Sequence, residues 1–225
     1  IDGLHPQNRR VTSYGDVMVL LFVFCFPVNA ANIIDQDQPQ YDLMPGTSWA
    51  MPMARFDQVT LAQSFQQANN NIAGAGILLS ADGWSSQEIT ISIWDNLPNQ
   101  VGANMLAFAY GTPTSVSTTD PSANWFNVFW TAVPVTPGVT YYLDFASASS
   151  LLGVGGTSNV YPYGQVYADV GVPYQSFPQY DYTFRTYYDD AYTPGPGPGP
   201  VPEPTSLLLL GLGLMGLAGV RRFRN

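Results

Sequence analysis

The chain has 225 residues, a formal net charge of −9, 14% aromatic residues and only 10% charged residues. Its seven basic residues are all arginine, and it has a single histidine, His5, and a single cysteine, Cys25. An acidic chain without lysine lacks the basic surface that nucleic acid requires, and its 21 glycines and 19 prolines favour an all-β exported domain over a helical cytosolic enzyme.

The N-terminus has the ordered features of a secretory signal peptide. Arg9 and Arg10 precede an apolar run at 17–26, and the small residues that follow end at Ala30. A basic region, an apolar run of about ten residues and a small-residue cleavage site define such a signal. We therefore expect residues 1–30 to form a signal helix that is removed after Ala30. A membrane anchor is the weaker alternative, because spanning takes ~20 apolar residues.

Residues 31–192 are predicted to form one domain of short β-strands. The strict alternation at 89–93 is typical of a half-buried strand, and Pro137-Gly138 suits a type II turn because glycine accepts a positive φ. Short strands between turn signals predict an antiparallel, jelly-roll-like β-sandwich of about eight strands. The strand candidates are 58–65, 72–80, 89–93, 104–110, 124–130, 139–145, 165–170 and 180–187, with turns at 81–83, 96–100, 118–123 and 153–156.

The exported part of the chain lacks several catalytic residue types. From 31 to 203 it has fourteen acidic residues, two arginines and no His, Cys or Lys, which is a net charge of −12. Ser-His-Asp and Cys-His catalysis, ordinary zinc sites and a P-loop are therefore excluded, and we expect a protein that is not an enzyme. The alternative is a glycoside hydrolase, which needs only two carboxylates. The acids available for it are Asp57, Glu88, Asp95, Asp144 and Asp181.

Carboxylates near both ends of the domain suit a calcium ion, which prefers hard oxygen ligands. We therefore expect no cofactor except a candidate structural Ca²⁺, with solvated terminal carboxylates as the alternative. The candidate ligands are Asp35, Asp37, Asp42, Asp189 and Asp190.

Aromatic side chains beside amides and carboxylates predict a sugar-binding platform, because such sites combine apolar contact with hydrogen bonds. Tyrosines crowd the segment 161–182, and one tryptophan lies in a predicted turn. The alternative is that these rings fill the core and edges of the sandwich. The candidate glycan-binding residues are Trp84, Tyr161, Tyr163, Tyr167 and Tyr174. The tryptophans expected in the core are Trp94, Trp125 and Trp130.

The C-terminus carries three features in a fixed order after the Pro-Gly linker 193–201, which should be extended. Pro202-Glu203-Pro204 comes first, then the apolar run 206–220, then a basic end at 221–224. The apolar run would form a helix of ~22 Å, against ~30 Å of bilayer hydrocarbon. It is therefore short for a lasting anchor, and its basic end should stay cytoplasmic.

The tail 202–225 resembles the PEP-CTERM sorting signal, which is also called an ice-binding protein C-terminal domain. The resemblance implies an exosortase substrate of a Gram-negative bacterium that makes exopolysaccharide or biofilm. It also implies membrane contact only through the tail, before processing, followed by release to the cell surface, the outer membrane or the extracellular matrix. The residues that carry this sorting signal are Pro202, Glu203, Pro204, Arg221, Arg222 and Arg224. An ordinary single-pass anchor is the alternative.

The exported domain also resembles sandwich modules of secreted bacterial proteins that have no assigned catalytic residues. The segments that carry this looser resemblance are 62–65, 89–94, 125–129, 136–143 and 182–185. Together with the tail, it implies a structural or adhesive role, with exopolysaccharide or another glycan as partner. Ice binding is not predicted, because Thr90 and Ser92 form the only regular outward pair.

We predict that the mature protein lacks the residues that follow about 203–205, because the tail is a sorting signal that is removed. Intact-mass measurement of the protein recovered from an exosortase-bearing host measures its C-terminus. A mass that still includes 221–225 would contradict the prediction.

Overall fold

The computed structural model describes residues 31–58, 60–81, 87–169, 171 and 173–195. Within them, two antiparallel sheets pack face to face, which confirms the predicted all-β sandwich. No helix in this part of the chain is long and apolar enough to cross a membrane. The predicted signal helix 1–30 and the predicted hydrophobic helix 206–220 lie outside the described residues, as does the tail 202–225 to which the latter belongs.

The described residues form thirteen strands, numbered in chain order. The first sheet contains β1 (Asn32–Gln38), β2 (Pro52–Arg55), β4 (Asn71–Ala81), β7 (Trp125–Pro134), β9 (Leu152–Ser158), β12 (Tyr180–Tyr182) and β13 (Phe184–Asp189). The second sheet contains β3 (Leu61–Gln66), β5 (Ile89–Trp94), β6 (Met105–Gly111), β8 (Thr140–Ser147), β10 (Val166–Ala168) and β11 (Gln175–Phe177). A 3-10 turn at Pro121–Ala123 precedes β7.

Strands that are distant in sequence lie side by side in both sheets. The order of the first sheet is β1-β13-β4-β9-β12, with β2 beside β9 and β7 beside β4. The order of the second is β11-β10-β3-β8-β5-β6. Most successive strands lie in opposite sheets, so the chain crosses repeatedly over the core, as a jelly-roll-like arrangement requires.

The core lies between the two sheets and follows the alternation of the strands. Ile89, Ile91 and Ile93 are fully buried on the inner face of β5, because successive side chains point to opposite faces of a strand. Aromatic contacts join the sheets, since the ring of Phe65 on β3 lies 6.2 Å from the ring of Phe184 on β13. The alternation predicted at 89–93 is therefore confirmed.

The glycine-rich segment 153–156, predicted as a turn, lies in the middle of β9, so that prediction is wrong. A Cβ atom on Gly153 would lie 2.5 Å from the carbonyl oxygen of Ala54 on β2, and one on Gly156 would lie 2.5 Å from that of Asp181 on β12. These glycines therefore permit the close approach of neighbouring strands. The turn predicted at Pro137-Gly138 is confirmed, with a φ of 75° at Gly138.

The segment 180–187, predicted as one strand, is divided at Thr183. The Thr183 N–H donates to the carbonyl oxygen of Gly155 (2.9 Å), while its own carbonyl oxygen accepts from the N–H of Leu78 (3.0 Å). The chain therefore changes its hydrogen-bonding partner from β9 to β4 at this residue. This division and the strands β1, β2, β9 and β11 raise the number of strands above the predicted eight.

The three tryptophans expected in the core are half-buried. Trp130 packs against the core cluster as predicted, whereas Trp94 lies on the outer face of β5 and Trp125 on that of β7. The guanidinium carbon of Arg185 lies 3.5 Å from the ring centroid of Trp125, a cation–π contact. The same arginine donates from Nε to Asp37 Oδ1 on β1 (3.1 Å). Trp125 therefore belongs to a polar cluster on the outer face of the first sheet.

A buried carboxylate connects the two sheets. Asp181 is fully buried, and its Oδ2 accepts the N–H groups of Val160 and Tyr161, both at 2.7 Å. Its Oδ1 accepts from Nε2 of Gln63 on β3 (3.2 Å), and Gln63 Oε1 accepts the N–H of Tyr182 (2.9 Å). The bridge satisfies the polar atoms that it buries, as protein interiors require.

Asp181→Asn is expected to lower the free energy of unfolding by about 2–3 kcal/mol. The amide nitrogen of the variant would face Gln63 Nε2, and two donors cannot form a hydrogen bond with each other. If the Gln63 amide turned to present its oxygen instead, the N–H of Tyr182 would lose its acceptor. Chemical denaturation measures the change. The control is Asp57→Asn, at an exposed position, where a change within about 0.5 kcal/mol is expected. Equal losses in the two variants would contradict this role of the bridge.

Candidate functional site

The outer face of the second sheet carries a group of aromatic side chains. Leu143 and Phe145 of β8 are buried in the core, so Tyr142 and Asp144 between them point outward. The register places Asp144 opposite Ser92 of β5. We define the aromatic face as the set Trp94, Phe108, Tyr110, Tyr142, Tyr167 and Tyr174.

Asp144 is the polar centre of the aromatic face. Its Oδ1 accepts from the Tyr174 hydroxyl (2.5 Å) and its Oδ2 from the Ser92 hydroxyl (3.5 Å). The indole Nε1 of Trp94 donates to Ser92 Oγ (2.9 Å). Burial raises the pKa of Asp144 above its ordinary value, although the hydrogen bonds from Tyr174 and Ser92 act in the opposite direction.

Tyr174 is held over the sheet by its backbone as well as by its hydroxyl. Its φ is 54°, and among the described residues it is the only one other than glycine with a positive φ. Such a backbone costs of order 1–3 kcal/mol and is commonly found at functional sites. Burial beside Asp144 raises the pKa of the Tyr174 hydroxyl, so the hydroxyl stays protonated and donates to the carboxylate.

The rings differ in how far solvent reaches them. Tyr142 and Tyr167 meet edge to face, with ring centroids 5.8 Å apart, and Gln165 Nε2 donates to the Tyr167 hydroxyl (2.7 Å). Phe108 and Tyr110 on β6 are 50% and 61% exposed. The face therefore presents accessible rings around a fixed, largely buried group of hydrogen-bonded side chains.

The structure places only two of the predicted glycan-binding residues, Tyr167 and Tyr174, on the aromatic face. Tyr161 is only 7% exposed, and its ring lies 5.1 Å from that of Phe184, so it packs in the core. Tyr163 is 57% exposed but lines a separate cleft with Gln36. Trp84 lies outside the described residues.

Four aromatic-face residues were not among the predicted glycan-binding residues, and for β6 the reason is an inverted pattern. Ala107 and Ala109 point toward the core, while Phe108 and Tyr110 point toward solvent. The alternation on β6 predicts a strand, but the larger apolar residues lie on its exposed face. Assigning the larger residues to the core therefore predicts the wrong buried face. The omitted residues are Trp94, Phe108, Tyr110 and Tyr142.

Each of the candidate calcium ligands has a partner within the protein. Asp35 on β1 accepts from Asn69 Nδ2 (2.6 Å) and the N–H of Ala68 (2.7 Å). The remaining carboxylates accept as follows: Asp37 from Arg185 Nε, Asp42 from Thr157 Oγ1, Asp189 from the N–H of Ala191, and Asp190 from the N–H of Ala31. In the described part of the chain, no three acids gather into a metal-binding group. Structural calcium stays a prediction.

The acids considered for glycoside hydrolysis lie on different parts of the fold. Asp181 is buried in the bridge between the sheets, and Asp95 is bound by the side chain and N–H of Asn104 (2.8 and 2.7 Å). Asp57 and Glu88 are exposed. Asp144 is the only acid in the described strands of the second sheet.

We predict that the stability difference between the wild type and Asp144→Asn depends on pH. The folded-state pKa of Asp144 is raised above 3.8, so the folded state binds the proton more tightly than the unfolded chain. The carboxyl's contribution to stability is therefore full below about pH 3.8 and is lost as the pH rises through the folded-state pKa. The free energy of unfolding of the wild type minus that of the variant should therefore fall as the pH rises above 3.8.

Asp95→Asn is the matched control for the pH dependence. The side chain of Asn104 is the main cause that lowers the pKa of Asp95, so this carboxylate contributes stability that grows as the pH rises. The free energy of unfolding of the wild type minus that of Asp95→Asn should therefore rise with pH, whereas the corresponding difference for Asp144→Asn falls. Urea denaturation at several pH values measures both differences, and slopes of the same sign would contradict the assignment.

Comparison with known proteins identifies the C-terminal tail. The PEP-CTERM protein-sorting motif matches residues 200–222, which confirms the predicted sorting signal. The motif supports an exported protein that is sorted through an exosortase, by a membrane-associated route found in Gram-negative bacteria. Neither the curated proteins nor the solved structures compared with the chain include one that matches it.

Proposed function

We propose that this exported protein is a non-catalytic structural or adhesive component of the cell surface or extracellular matrix that binds glycan on its aromatic face. The observation that supports this role most directly is the pair of exposed rings on β6, Phe108 and Tyr110, beside the hydrogen-bonded group of Asp144 and Ser92. Sugars present both apolar patches and hydroxyl groups, so rings beside fixed polar atoms suit them.

The charge of the domain selects among glycans. Residues 31–203 carry fourteen acidic residues and two arginines. One of the arginines, Arg185, is engaged by Trp125 and Asp37 on the other sheet. A surface of this sign repels polyanions at long range. The proposed partner is therefore a neutral exopolysaccharide rather than one rich in uronic acids.

The raised pKa of Asp144 favours one second candidate, a carbohydrate-active enzyme. A carboxyl whose pKa is raised by burial is better suited to act as a general acid. Glycoside hydrolysis also requires a second carboxylate about 5–9.5 Å away. The strands around Asp144 supply no other acid among the described residues, so we favour binding without catalysis.

The double variant Phe108→Ala/Tyr110→Ala is expected to weaken retention on the host's exopolysaccharide about fivefold or more. Two lost ring contacts are worth roughly 1–3 kcal/mol together. Affinity electrophoresis with the purified polysaccharide measures the change. The control is Phe129→Ala, a ring that is 48% exposed on the other sheet, which should leave retention unchanged.

Two outcomes would contradict the proposal. Equal loss of retention in the double variant and the control would show that binding does not depend on the aromatic face. Release of reducing ends by the wild type, abolished in Asp144→Asn, would establish the enzyme instead.

A further inference from the structure

A cavity of about 310 Å³, partly open to solvent, lies between the two sheets where β2, β10, β11 and β12 meet. Its walls are largely apolar, with Met53 and Ala54 on one side and Ala168 and Phe177 on the other. An apolar cavity of roughly 150 Å³ is already large enough to hold benzene. The volume here therefore accommodates a small organic molecule.

Two of the residues that line this cavity carry buried oxygen atoms without a partner. Among the described residues, three buried side-chain oxygens have no hydrogen-bond partner: Gln58 Oε1, Thr60 Oγ1 and the Tyr182 hydroxyl. Gln58 and Tyr182 both line the cavity. Buried polar atoms are nearly always hydrogen-bonded in proteins, so two exceptions in one cavity wall require an explanation.

The surroundings of the two atoms define what each can do. The ring of Tyr182 is fully buried and packs edge to face on Phe145, at 5.8 Å between centroids. Burial raises the pKa of its hydroxyl, so it remains a neutral donor. Gln58 Nε2 donates to the carbonyl oxygen of Asp169 (3.3 Å), which leaves Gln58 Oε1 as the free acceptor.

We propose that this cavity binds a small, neutral, amphipathic molecule with an apolar body and a hydroxyl group. A hydroxyl both accepts and donates, so a ligand hydroxyl can accept from Tyr182 or donate to Gln58. Neither oxygen has appreciable accessible surface, so the ligand must displace the side chains that cover them. Methionine side chains and the Phe177 ring adapt to an aromatic or aliphatic body. None of the described residues that line the cavity carries a formal charge, so an ionic ligand would be buried without a counter-charge.

This site is independent of the proposed glycan binding. Tyr182 packs between the two sheets, whereas the aromatic face is the outer surface of the second sheet. Loss of glycan retention and loss of cavity binding can therefore be observed separately in the same protein.

Benzyl alcohol and toluene form a matched pair of probes that differ by the hydroxyl group. We expect the processed protein, recovered from an exosortase-bearing host, to bind benzyl alcohol about tenfold tighter than toluene in isothermal titration calorimetry. Tyr182→Phe should remove this preference, leave toluene binding unchanged and leave the melting temperature equal to or above that of the wild type, because it deletes a buried hydroxyl that lacks a protein partner. Gln58→Met should also reduce the preference. Tyr163→Phe, outside the cavity, is the control.

Filling the cavity provides a second line of test. Ala168→Leu should abolish the binding of both probes, and Ala54→Val serves the same purpose if the first variant does not fold. Binding that persists in a folded filling variant would place the probes elsewhere and overturn the proposal. Equal affinity of the wild type for the two probes, or no binding at all, would also overturn it. The proposal would also be overturned if Tyr182→Phe melted at a lower temperature than the wild type and still bound benzyl alcohol more tightly than toluene.

Discussion

The buried bridge between Asp181 and Gln63 sets how the two sheets meet. Asp181 accepts two backbone N–H groups and the Gln63 amide, and Gln63 in turn accepts the N–H of Tyr182. A shift of one residue would turn Gln63 to the outside of β3 and leave the Asp181 carboxylate short of a donor. The single cysteine, Cys25, lies in the predicted signal, so packing and this bridge hold the sheets together. The bridge also places Tyr182 in the wall of the cavity.

The aromatic face depends on the same strands as the core. On β8, Leu143 and Phe145 point inward while Tyr142 and Asp144 point outward. The strands that form the core therefore hold the outer rings in fixed register, and a change at the tip of an exposed ring need not disturb the interior. This separation would let the proposed binding at the aromatic face change while the fold is kept.

Arginines are concentrated at the ends of the chain and acids in its middle. Only Arg55 and Arg185 lie in the exported part, against fourteen acids. Arg185 is held between Trp125 and Asp37 and presents no basic patch. The domain is thus acidic over its length, while the other five arginines lie in the predicted signal peptide and in the tail that carries the sorting motif. The sorting motif at 200–222 agrees with this division.

The sequence by itself determined the all-β class, the sorting tail, the turn at Pro137-Gly138 and the buried face of β5, because these depend on local patterns of residues. Only the tertiary structure decided that the glycines of β9 lie inside a strand. The carbonyl oxygens of Ala54 and Asp181, which are distant in sequence, lie so close to β9 that a side chain at Gly153 or Gly156 would clash with them. The tertiary structure also separated Tyr161, which packs in the core, from Tyr167 and Tyr174, which lie on the aromatic face. A tyrosine is compatible with either environment, and the neighbours that the fold brings to it decide between burial and exposure.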